Sequence, residues 1–386
     1  MNLVKGRNIS CKISDSFCIY FDDNFYSTFP WAVINNDEII VVFRQAGQTS
    51  VNAARTGNVT HHDRDSWISM IRSTDKGKTW PKSTYHKLYQ SEYGVNDPAL
   101  MKLSNGDFLL RVTEFDVRPS CDRHLIDGRI IDHRSEHGLV SRVRANVVAR
   151  YDENLKMQKD AYDVNIPNLT NSCSREPVVE LSDGALLLSL YKGAPYETDK
   201  VYLVRSFDQG MKWGDDVCLA RDKNPLASEY QGINFNETAI LPLDKGEILA
   251  MARADISFHT DQEFMPVGGV GNLYTLRSFN NGFSWTSPKK TPIFGQPAHL
   301  LRLSGKEILC TYGYRQKPYG IRAVFSYDNG ETWDMENEIV LRDDGFSWDL
   351  GYPMTVQLGT DEFITVYYFN DKSLNRFIAG TRWGQK

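Results

Sequence analysis

Long apolar segments are missing from the sequence, and their absence excludes a helical membrane span. No run of about 18 apolar residues occurs anywhere in the 386 residues. The first residues, MNLVKGRNIS, also lack the apolar core that a signal peptide needs. We therefore expect a protein that is cytoplasmic or released by another route, or one that is secreted if a leader was trimmed from this chain.

Paired cysteines and excess positive charge are lacking as well. The six cysteines form no C-x-x-C motif, which argues against a zinc ribbon or a dense disulfide framework and predicts mostly buried thiols. A net charge of −5 argues against general nucleic-acid binding. No metal or cofactor is expected, because the two histidines of HRSEH (133–137) lie in a polar segment without a helical pattern.

What the chain does contain is one hairpin pattern, repeated six times. Each copy has a short apolar strand, a polar turn suited to a two-residue connection, and a second apolar strand. The copies span residues 32–43, 99–112, 177–190, 239–252, 299–312 and 354–367. Continuous apolar runs such as EIIVVF suit strands that are buried on both faces.

A second repeated string follows four of the six hairpins. It reads RSTDKGKTW (72–80), RSFDQGMKW (205–213), RSFNNGFSW (277–285) and FSYDNGETW (325–333), with a degenerate copy, ARYDENLKM, at 149–157. Its Asp can hydrogen-bond its own turn, its Gly permits a positive φ, and its Trp can pack between sheets. Because Asn280 replaces the carboxylate in one copy, we interpret the string as structural rather than catalytic.

Two hairpins make a unit of four strands, and six such units predict an all-β fold. We expect a six-bladed β-propeller of four-stranded antiparallel blades, formed by residues 1–386 as a single domain with a polar insertion at about 111–146. The C-terminal RFIAGTRW (376–383) is expected to pair with N-terminal residues and close the ring.

The repeated S-x-D-x-G-x-[TS]-W string resembles the Asp-box, or BNR repeat, of the sialidase (neuraminidase) superfamily. Together with the six hairpins, the resemblance covers nearly the whole chain. It implies an exo-glycosidase that acts on a terminal carbohydrate. Asp-box propellers also include lyases and binding proteins, so the string indicates the fold more strongly than the function.

The first strands of the blades are expected to begin at one mouth of the ring, where a binding site would form. The polar residues at these strand starts are Asp97, Arg175, Glu176, Glu237, His299 and Tyr352. The second strands return to the same mouth with Arg44, Arg253 and Arg315. We expect this set to include the substrate-binding residues, although Arg175 and Glu176 can also form a purely structural pair.

The resemblance assigns roles to some of these residues. It implies that Tyr352 is the nucleophile and that Glu237 is the base that takes its proton. A neutral phenol suits a sugar with a carboxylate on the anomeric carbon, because that carboxylate would repel an anionic nucleophile. Arg253, with Arg322 or Arg315, matches the arginines that bind the substrate carboxylate, and the spacing fits Arg322 slightly better.

The resemblance also places the general acid/base on a loop before the first Asp-box. HHDRD (61–65) offers Asp63 and Asp65 there, and Asp65 is favoured, with an exposed ion pair to an arginine as the alternative role. The Arg-Ile-Pro string that carries the family's first arginine is Thr28-Phe29-Pro30 in this chain. Arg44 can substitute for that arginine, or the substrate can be another ulosonic acid, a uronic acid or a neutral glycoside.

Two other functions fit the same fold. A polysaccharide lyase would use a Tyr or His to abstract a proton next to a uronic carboxylate. The residues of those types are His61, His62, His299, Tyr314 and Tyr352. A carbohydrate-binding propeller without turnover is the second alternative.

Overall fold

The chain forms a ring of six sheets. A computed structural model describes residues 11–55, 61–126, 138–192, 198–222, 230–259, 264–266 and 271–385. Each sheet is antiparallel and has four strands in sequential order, with one short extra strand in the fourth sheet. The structure therefore confirms the all-β, six-bladed β-propeller with four-stranded blades.

Within each blade the strands follow one another from the centre of the ring outward. Blade 6 takes its outermost strand, β1 (Cys11–Tyr20), from the N-terminal part of the chain. Blade 1 contains β2 (Tyr26–Asn35), β3 (Glu38–Ala46), β4 (Ser66–Ser73) and β5 (His86–Tyr89). Blade 2 contains β6 (Gly94–Lys102), β7 (Phe108–Pro119), β8 (Leu139–Tyr151) and β9 (Met157–Asp163). Blade 3 contains β10 (Val179–Glu180), β11 (Leu186–Lys192), β12 (Lys200–Ser206) and β13 (Gly214–Ala220).

The remaining blades follow the same plan. Blade 4 contains β14 (Tyr230–Pro242), β15 (Ile248–His259), the short β16 (Phe264–Pro266), β17 (Asn272–Ser278) and β18 (Lys289–Phe294). Blade 5 contains β19 (Ala298–Arg302), β20 (Ile308–Tyr314), β21 (Tyr319–Ser326) and β22 (Ile339–Gly345). Blade 6 adds β23 (Gly351–Gly359), β24 (Glu362–Asn370) and β25 (Arg376–Gln385). Short 3-10 helices span Lys82–Thr84, Ser120–Leu125, Pro167–Leu169 and Met335–Asn337.

The apolar runs of the second strands are explained by burial on both faces. In β3, Ile40 and Val42 pack with blade 2, whereas the alternate residues Val41 and Phe43 pack with blade 6. Side chains of a strand point alternately to its two faces. A middle strand between two neighbouring blades therefore has no polar face, and its sequence does not alternate.

The hairpin turns are of two lengths, so the prediction of two-residue connections was correct for only two blades. Blades 1 and 6 have two-residue turns, bounded by the pairs Asn35–Glu38 and Gly359–Glu362. Blades 2 to 5 have three-residue loops. Their flanking residues are Leu103 and Asp107, Leu181 and Ala185, Leu243 and Glu247, and Leu303 and Glu307. A three-residue loop places a glycine such as Gly106 (φ 94°) in the left-handed region at its end.

The ring is closed as the sequence predicted. Strand β25 pairs with β1 along its whole length, from Cys11–Gln385 to Tyr20–Ile378. Trp383 of β25 is buried and donates a hydrogen bond to the Thr365 hydroxyl at 2.9 Å. Both ends of the described chain therefore contribute to one blade, which removes two open sheet edges.

The repeated S-x-D-x-G turns connect the third and fourth strands and share one hydrogen-bond pattern. In the first copy, the Ser73 hydroxyl accepts from the Gly77 N–H at 2.8 Å, and Asp75 Oδ1 accepts from the Thr79 N–H at 2.9 Å. The same two bonds recur in the copies centred on Asp208, Asn280 and Asp328. Asn280 reproduces the pattern because it needs only one acceptor oxygen.

These turns also join each blade to the one before it. The residue just before the turn glycine has a positive φ, and its carbonyl accepts a hydrogen bond from an arginine of the preceding blade. The pairs are Arg382 with Lys76, Arg150 with Gln209, Arg205 with Asn281 and Arg277 with Asn329. Gly77 packs so closely that a Cβ there would lie 2.3 Å from Ile364 of blade 6. The repeat is therefore a connector between blades, which the sequence did not indicate.

Three features depart from or add to the sequence expectations. Eight residues, Gln48–Arg55, form an α-helix, α1, where no helical pattern was apparent. The polar insertion lengthens the hairpin of β7 and β8, which pair out to Pro119–Leu139; HRSEH lies outside the described residues. Of the cysteines whose side chains the structure describes, Cys18, Cys121 and Cys218 are exposed and Cys173 and Cys310 are buried, so the prediction of mostly buried cysteines was wrong. In the described part of the chain, no helix has the length and apolar character of a membrane span.

The hydrogen bonds of the repeated turn predict how a substitution affects stability. We expect Asp328→Ala to lower the free energy of unfolding by ~1–2 kcal/mol, because the side chain accepts hydrogen bonds from Ser326, the Thr332 N–H and the Thr332 hydroxyl. Asp328→Asn keeps an acceptor oxygen equivalent to the one in Asn280. It should therefore lower the free energy of unfolding by less than half as much as Asp328→Ala. Equilibrium urea unfolding measures both, and equal losses in the two variants would contradict the assigned hydrogen bonds.

Candidate active site

Four inner strands are interrupted near their starts by a bulge of two residues. The bulged pairs are Phe29-Pro30, Asp97-Pro98, Asn236-Glu237 and Tyr352-Pro353. Phe29, Asp97 and Tyr352 have φ values of 51°, 47° and 53°, a conformation that is strained for residues other than glycine. A bulge turns a side chain away from its regular direction, and here it brings residues of four blades together at one mouth.

The closest polar contact at this mouth joins Tyr352 to Glu237. The phenol donates a hydrogen bond to Glu237 Oε1 at 2.5 Å, across the mouth from blade 6 to blade 4. Burial and the neighbouring Glu237 carboxylate raise the pKa of Tyr352 well above its ordinary value. Burial alone would raise the pKa of Glu237, but Arg253 and the hydrogen bond from Tyr352 hold it below the ordinary value. The pair therefore consists of a neutral phenol and a carboxylate that accepts its hydrogen bond.

Arg253 supports the carboxylate from the other side. It donates to Glu237 Oε2 at 2.8 Å and forms an ion pair with the buried Asp255 at 3.0 Å. Asp255 in turn accepts from the Asn236 amide at 2.9 Å. Both oxygens of Glu237 are thus engaged, which fixes the orientation of the carboxylate toward Tyr352.

Arg315 also lies against Tyr352, with its guanidinium carbon 5.5 Å from the centre of the phenol ring. It donates to the Leu350 carbonyl at 3.1 Å and to the Tyr368 hydroxyl at 3.3 Å. Among the described residues, no carboxylate lies within ion-pair distance of Arg315, and the side chain is partly buried. The site therefore contains a cation beside Tyr352 without a counter-ion from the described chain.

Arg175 and Glu176 are buried and form an ion pair of 2.6 Å. Arg175 also donates to the carbonyls of Ala298 in blade 5 at 2.8 Å and Pro353 in blade 6 at 3.2 Å. Its guanidinium lies 5.2 Å from the centre of the Tyr352 ring. These contacts place Arg175 under the nucleophile candidate, where it holds three blades together.

Asp97 is buried at the same mouth, and its Oδ1 has no hydrogen-bond partner among the described residues. Burial and the nearby Glu237 carboxylate raise the pKa of Asp97 to about 7, against the opposing effects of Arg111, Arg175 and Arg44. Asp97 is therefore a carboxyl group that takes up and releases a proton near neutral pH.

Arg44 and His299 are buried in the same region. Arg44 forms an ion pair of 2.8 Å with Asp63 and donates to the Val95 carbonyl at 3.0 Å, and its second terminal nitrogen has no partner among the described residues. His299 Nδ1 accepts from the Thr355 N–H at 3.3 Å. Burial, assisted by Arg175, lowers the pKa of His299 to about 3, so His299 is a neutral packing residue.

Two of the residues selected from the sequence lie apart from this cluster. Arg322 forms an ion pair with Glu338 and stacks over the Tyr314 ring at 3.5 Å. Asp65 is exposed, and its carboxylate lies against Gly47, next to the first residue of α1. The structure thus brings Arg315, rather than Arg322, into contact with Tyr352. The two arginines differ because Arg322 lies on the third strand of blade 5, whose side chains are remote from the mouth.

Phe29 occupies the position at which the family resemblance predicts the first arginine. The Phe29 ring lies 4.6 Å from Tyr352, 5.3 Å from Tyr368 and 4.9 Å from the His61 ring, all edge to face. Arg44, the suggested substitute, is committed to Asp63. Within the described residues, the ring contacts of Phe29 are with Tyr352, Tyr368 and His61.

Sequence reasoning missed Asp349, which organises the residues behind this aromatic group. Its fully buried carboxylate accepts from Tyr26 at 2.7 Å, Tyr368 at 2.9 Å and Arg376 at 2.8 Å. His61 Nε2 lies 3.2 Å from Oδ1, the oxygen that also accepts from Tyr368. Burial would raise the pKa of Asp349, but these partners hold it far below the ordinary value. The only sequence signal was an acidic residue three positions before Tyr352.

Buried polar atoms without partners recur at the inner-strand starts. Among the described residues, those near the mouth are Thr28 Oγ1, Asn96 Oδ1, Asp97 Oδ1, Ser174 Oγ, Asn236 Oδ1 and both polar atoms of Gln296. They come from five blades. Native proteins rarely leave such atoms unsatisfied, so their concentration distinguishes the inner-strand starts, although the atoms themselves are buried from solvent.

The fold and the position of the site define a propeller with a cluster of buried polar residues at one end of its ring, and solved structures with this fold include sialidases. A protein of unknown function from Dyadobacter fermentans DSM 18053 is similar to this chain with a TM-score of 0.81 and 26% identity, over 97% of this chain and 99% of that one. No protein-family model matches the sequence, and no curated protein matches it significantly.

Two sialidases are more distantly similar. The Hadza microbial sialidase Hz136 has a TM-score of 0.63 and 16% identity, over 92% of this chain and 65% of that one. The Trypanosoma rangeli sialidase in complex with sialic acid has a TM-score of 0.59 and 12% identity, over 92% of this chain and 54% of that one. At these identities the likeness establishes a shared propeller fold, and this chain spans only about half to two thirds of those proteins.

The raised pKa of Asp97 predicts a pH dependence of stability. Folding raises its pKa from an ordinary value of 3.8 to about 7, so its contribution is present below about pH 4 and is lost as the pH rises toward 7. Asp97→Asn removes this loss. We expect the variant to gain at least ~1.4 kcal/mol relative to the wild type between about pH 4 and about pH 8.

Urea unfolding at the two pH values measures this gain. Asp75→Asn is the control, because hydrogen bonds from Thr79 lower the pKa of Asp75 to about 2, and its effect should be constant over the same interval. A constant difference between Asp97→Asn and the wild type would show that Asp97 is charged throughout.

Proposed function

We propose that the protein is an exo-glycosidase of the sialidase-like type, which hydrolyses a terminal acidic sugar with retention of configuration. The observation that carries this proposal is the 2.5 Å hydrogen bond from Tyr352 to Glu237, which joins two inner-strand bulges and involves the strained residue Tyr352. A phenol is a weak nucleophile unless a base takes its proton. Glu237 is a buried carboxylate whose Oε2 is held by Arg253 while its Oε1 accepts the hydrogen bond of the phenol, so Oε1 is directly positioned to take the proton.

The proposed reaction has two steps. In the first, Tyr352 Oη attacks the anomeric carbon, its proton passes to Glu237, and the bond to the leaving group breaks as that oxygen receives a proton. In the second, water attacks the anomeric carbon after losing a proton to a general base, and the bond to Tyr352 breaks. Glu237 then returns the proton to the phenolate. The proton for the leaving group comes from the loop at 61–65, for which the sequence predicts Asp65.

The charge of the site supports an acidic substrate. Arg315 lies beside Tyr352 without a carboxylate partner among the described residues, so it can bind a carboxylate on the sugar. Arg253 is already paired with Glu237 and Asp255 and adds only partial recognition. Phe29 occupies the position at which the family resemblance predicts a further arginine. We therefore expect the substrate carboxylate to be bound more weakly than it would be by three arginines.

The polarity of the mouth supports a carbohydrate. The unpartnered atoms of five blades include hydroxyl, amide and carboxyl groups, which are suited to the hydroxyl groups of a sugar ring. The Trypanosoma rangeli sialidase, which shares the propeller fold, was solved in complex with sialic acid. Sialic acid and related ulosonic acids are therefore the first substrates to test.

Loss of the phenol oxygen should abolish turnover. We expect Tyr352→Phe to lower kcat by on the order of 10³-fold or more, because the bond-forming atom is removed. Tyr314→Phe is the matched control and should stay within about 2-fold, since that phenol packs on Arg322 instead. The measurement is a panel of aryl glycosides of sialic acid, other ulosonic acids, uronic acids and neutral sugars.

The panel also tests the alternative functions. Undiminished activity of Tyr352→Phe would contradict the nucleophile assignment. Release of an unsaturated, ultraviolet-absorbing product from a uronic polysaccharide would identify a lyase instead. Sugar binding by both wild type and Tyr352→Phe, without cleavage of any glycoside, would identify a binding propeller.

Removal of the unpaired cation should change affinity more than rate. We expect Arg315→Gln to raise KM for the acidic aryl glycoside by roughly 10- to 100-fold, the value of one charge-assisted hydrogen bond. Arg322→Gln is the matched control, because its guanidinium is already paired with Glu338. A larger effect from Arg322→Gln than from Arg315→Gln would assign the carboxylate site to the other arginine.

A further inference from the structure

His61 lies at the edge of the candidate active site and has one nitrogen available. Its ring packs edge to face on Phe29 at 4.9 Å, and Phe29 packs in the same way on Tyr352 at 4.6 Å. The side chain is 25% exposed, in contrast to the buried Tyr352. His61 Nε2 is held by Asp349 at 3.2 Å, whereas Nδ1 has no partner among the described residues. A ligand in the mouth can therefore reach Nδ1.

The buried carboxylate of Asp349 holds the His61 ring in one orientation. Asp349 is 1% exposed and anchored by Arg376, Tyr26 and Tyr368, so it cannot turn away. A histidine whose far nitrogen is held by a buried carboxylate has a fixed tautomer and ring orientation. The arrangement is the one that enzymes use to position a histidine as a proton donor and acceptor.

The two aspartates of the same loop are placed less favourably for this role. Asp63 Oδ2 accepts from both Arg44 and Ser50, so its carboxylate is committed to buried partners. Asp65 is exposed and lies over Gly47 at the start of α1. Of the titratable residues in this loop, His61 is the one whose contacts are with the residues around Tyr352.

We propose that His61, held by Asp349, is the general acid/base of the glycosidase and acts in place of the sequence-predicted Asp65. This inference rests on the proposed function. Protonated His61 gives the Nδ1 proton to the glycosidic oxygen as the bond from that oxygen to the anomeric carbon breaks and Tyr352 Oη bonds to the same carbon. Neutral His61 then takes a proton from the attacking water, whose oxygen replaces Tyr352, and the enzyme returns to its starting protonation.

The leaving group of the substrate provides the test. A poor leaving group such as phenol needs a proton from the acid, whereas dinitrophenol departs without one. We expect His61→Gln to lower kcat/KM by about 100-fold or more for the phenyl glycoside and by less than about 5-fold for the dinitrophenyl glycoside of the same sugar. The ratio of the two rates does not depend on the fraction of folded protein, so partial misfolding cannot imitate the result.

Matched variants locate the effect. His86→Gln, on the outer strand β5, should leave both rates unchanged, and Asp349→Asn should show the same selectivity as His61→Gln to a smaller degree. A histidine with a merely structural role would lower the rates on the phenyl and dinitrophenyl glycosides equally and would show no leaving-group selectivity.

The possible failures are distinguishable. Equal losses on both glycosides in His61→Gln, or selective loss in Asp65→Asn instead, would overturn the role of His61 and leave the glycosidase intact. If the wild type cleaves no glycoside of the panel, the proposed function fails and the role of His61 fails with it.

Discussion

The guanidinium of Arg175 is the constraint on which the geometry of the site depends. It is buried, and a buried cation is tolerated only when its donors are satisfied. Here the acceptors come from its own neighbour Glu176 and from carbonyls of blades 5 and 6. One of these carbonyls belongs to Pro353, the residue after the strained Tyr352. The ring therefore cannot shift its inner strands without breaking hydrogen bonds at the centre, and this rigidity maintains the unfavourable backbone conformation of Tyr352.

The charged groups around Tyr352 allow its phenol to meet two requirements that conflict at a solvent-exposed site. In the proposed mechanism, a nucleophile that meets an acidic sugar should carry no charge while the substrate binds, yet must lose a proton when it reacts. Burial keeps the phenol neutral, and Glu237 remains ready to accept the proton because Arg253 stabilises its charge. Phe29 contributes by excluding water from one side of the phenol ring.

The repeats predicted the fold, because strand periodicity and turn residues are local sequence properties that recur in every blade. They also predicted that Tyr352 and Glu237 share a mouth, because both precede the apolar run of an inner strand. Their direct contact was predicted only through family resemblance. The bulges, the choice between Arg315 and Arg322, and the buried Asp349 were not predictable. A bulge changes side-chain direction without changing the hydrophobic pattern, and a loop residue such as Asp349 is placed by tertiary contacts rather than by its neighbours in sequence.

Ring closure has a consequence for the biosynthesis of the protein. Blade 6 holds Tyr352 on its inner strand, but its third and fourth strands are β25 and β1, which lie at opposite ends of the described chain. During translation β1 is synthesised before β25, so it cannot form this pairing until β25 has left the ribosome. The sheet that carries Tyr352 on its inner strand is therefore completed only when β1 and β25 meet, so a chain clipped before β25 would leave β1 and β24 with unpaired edges.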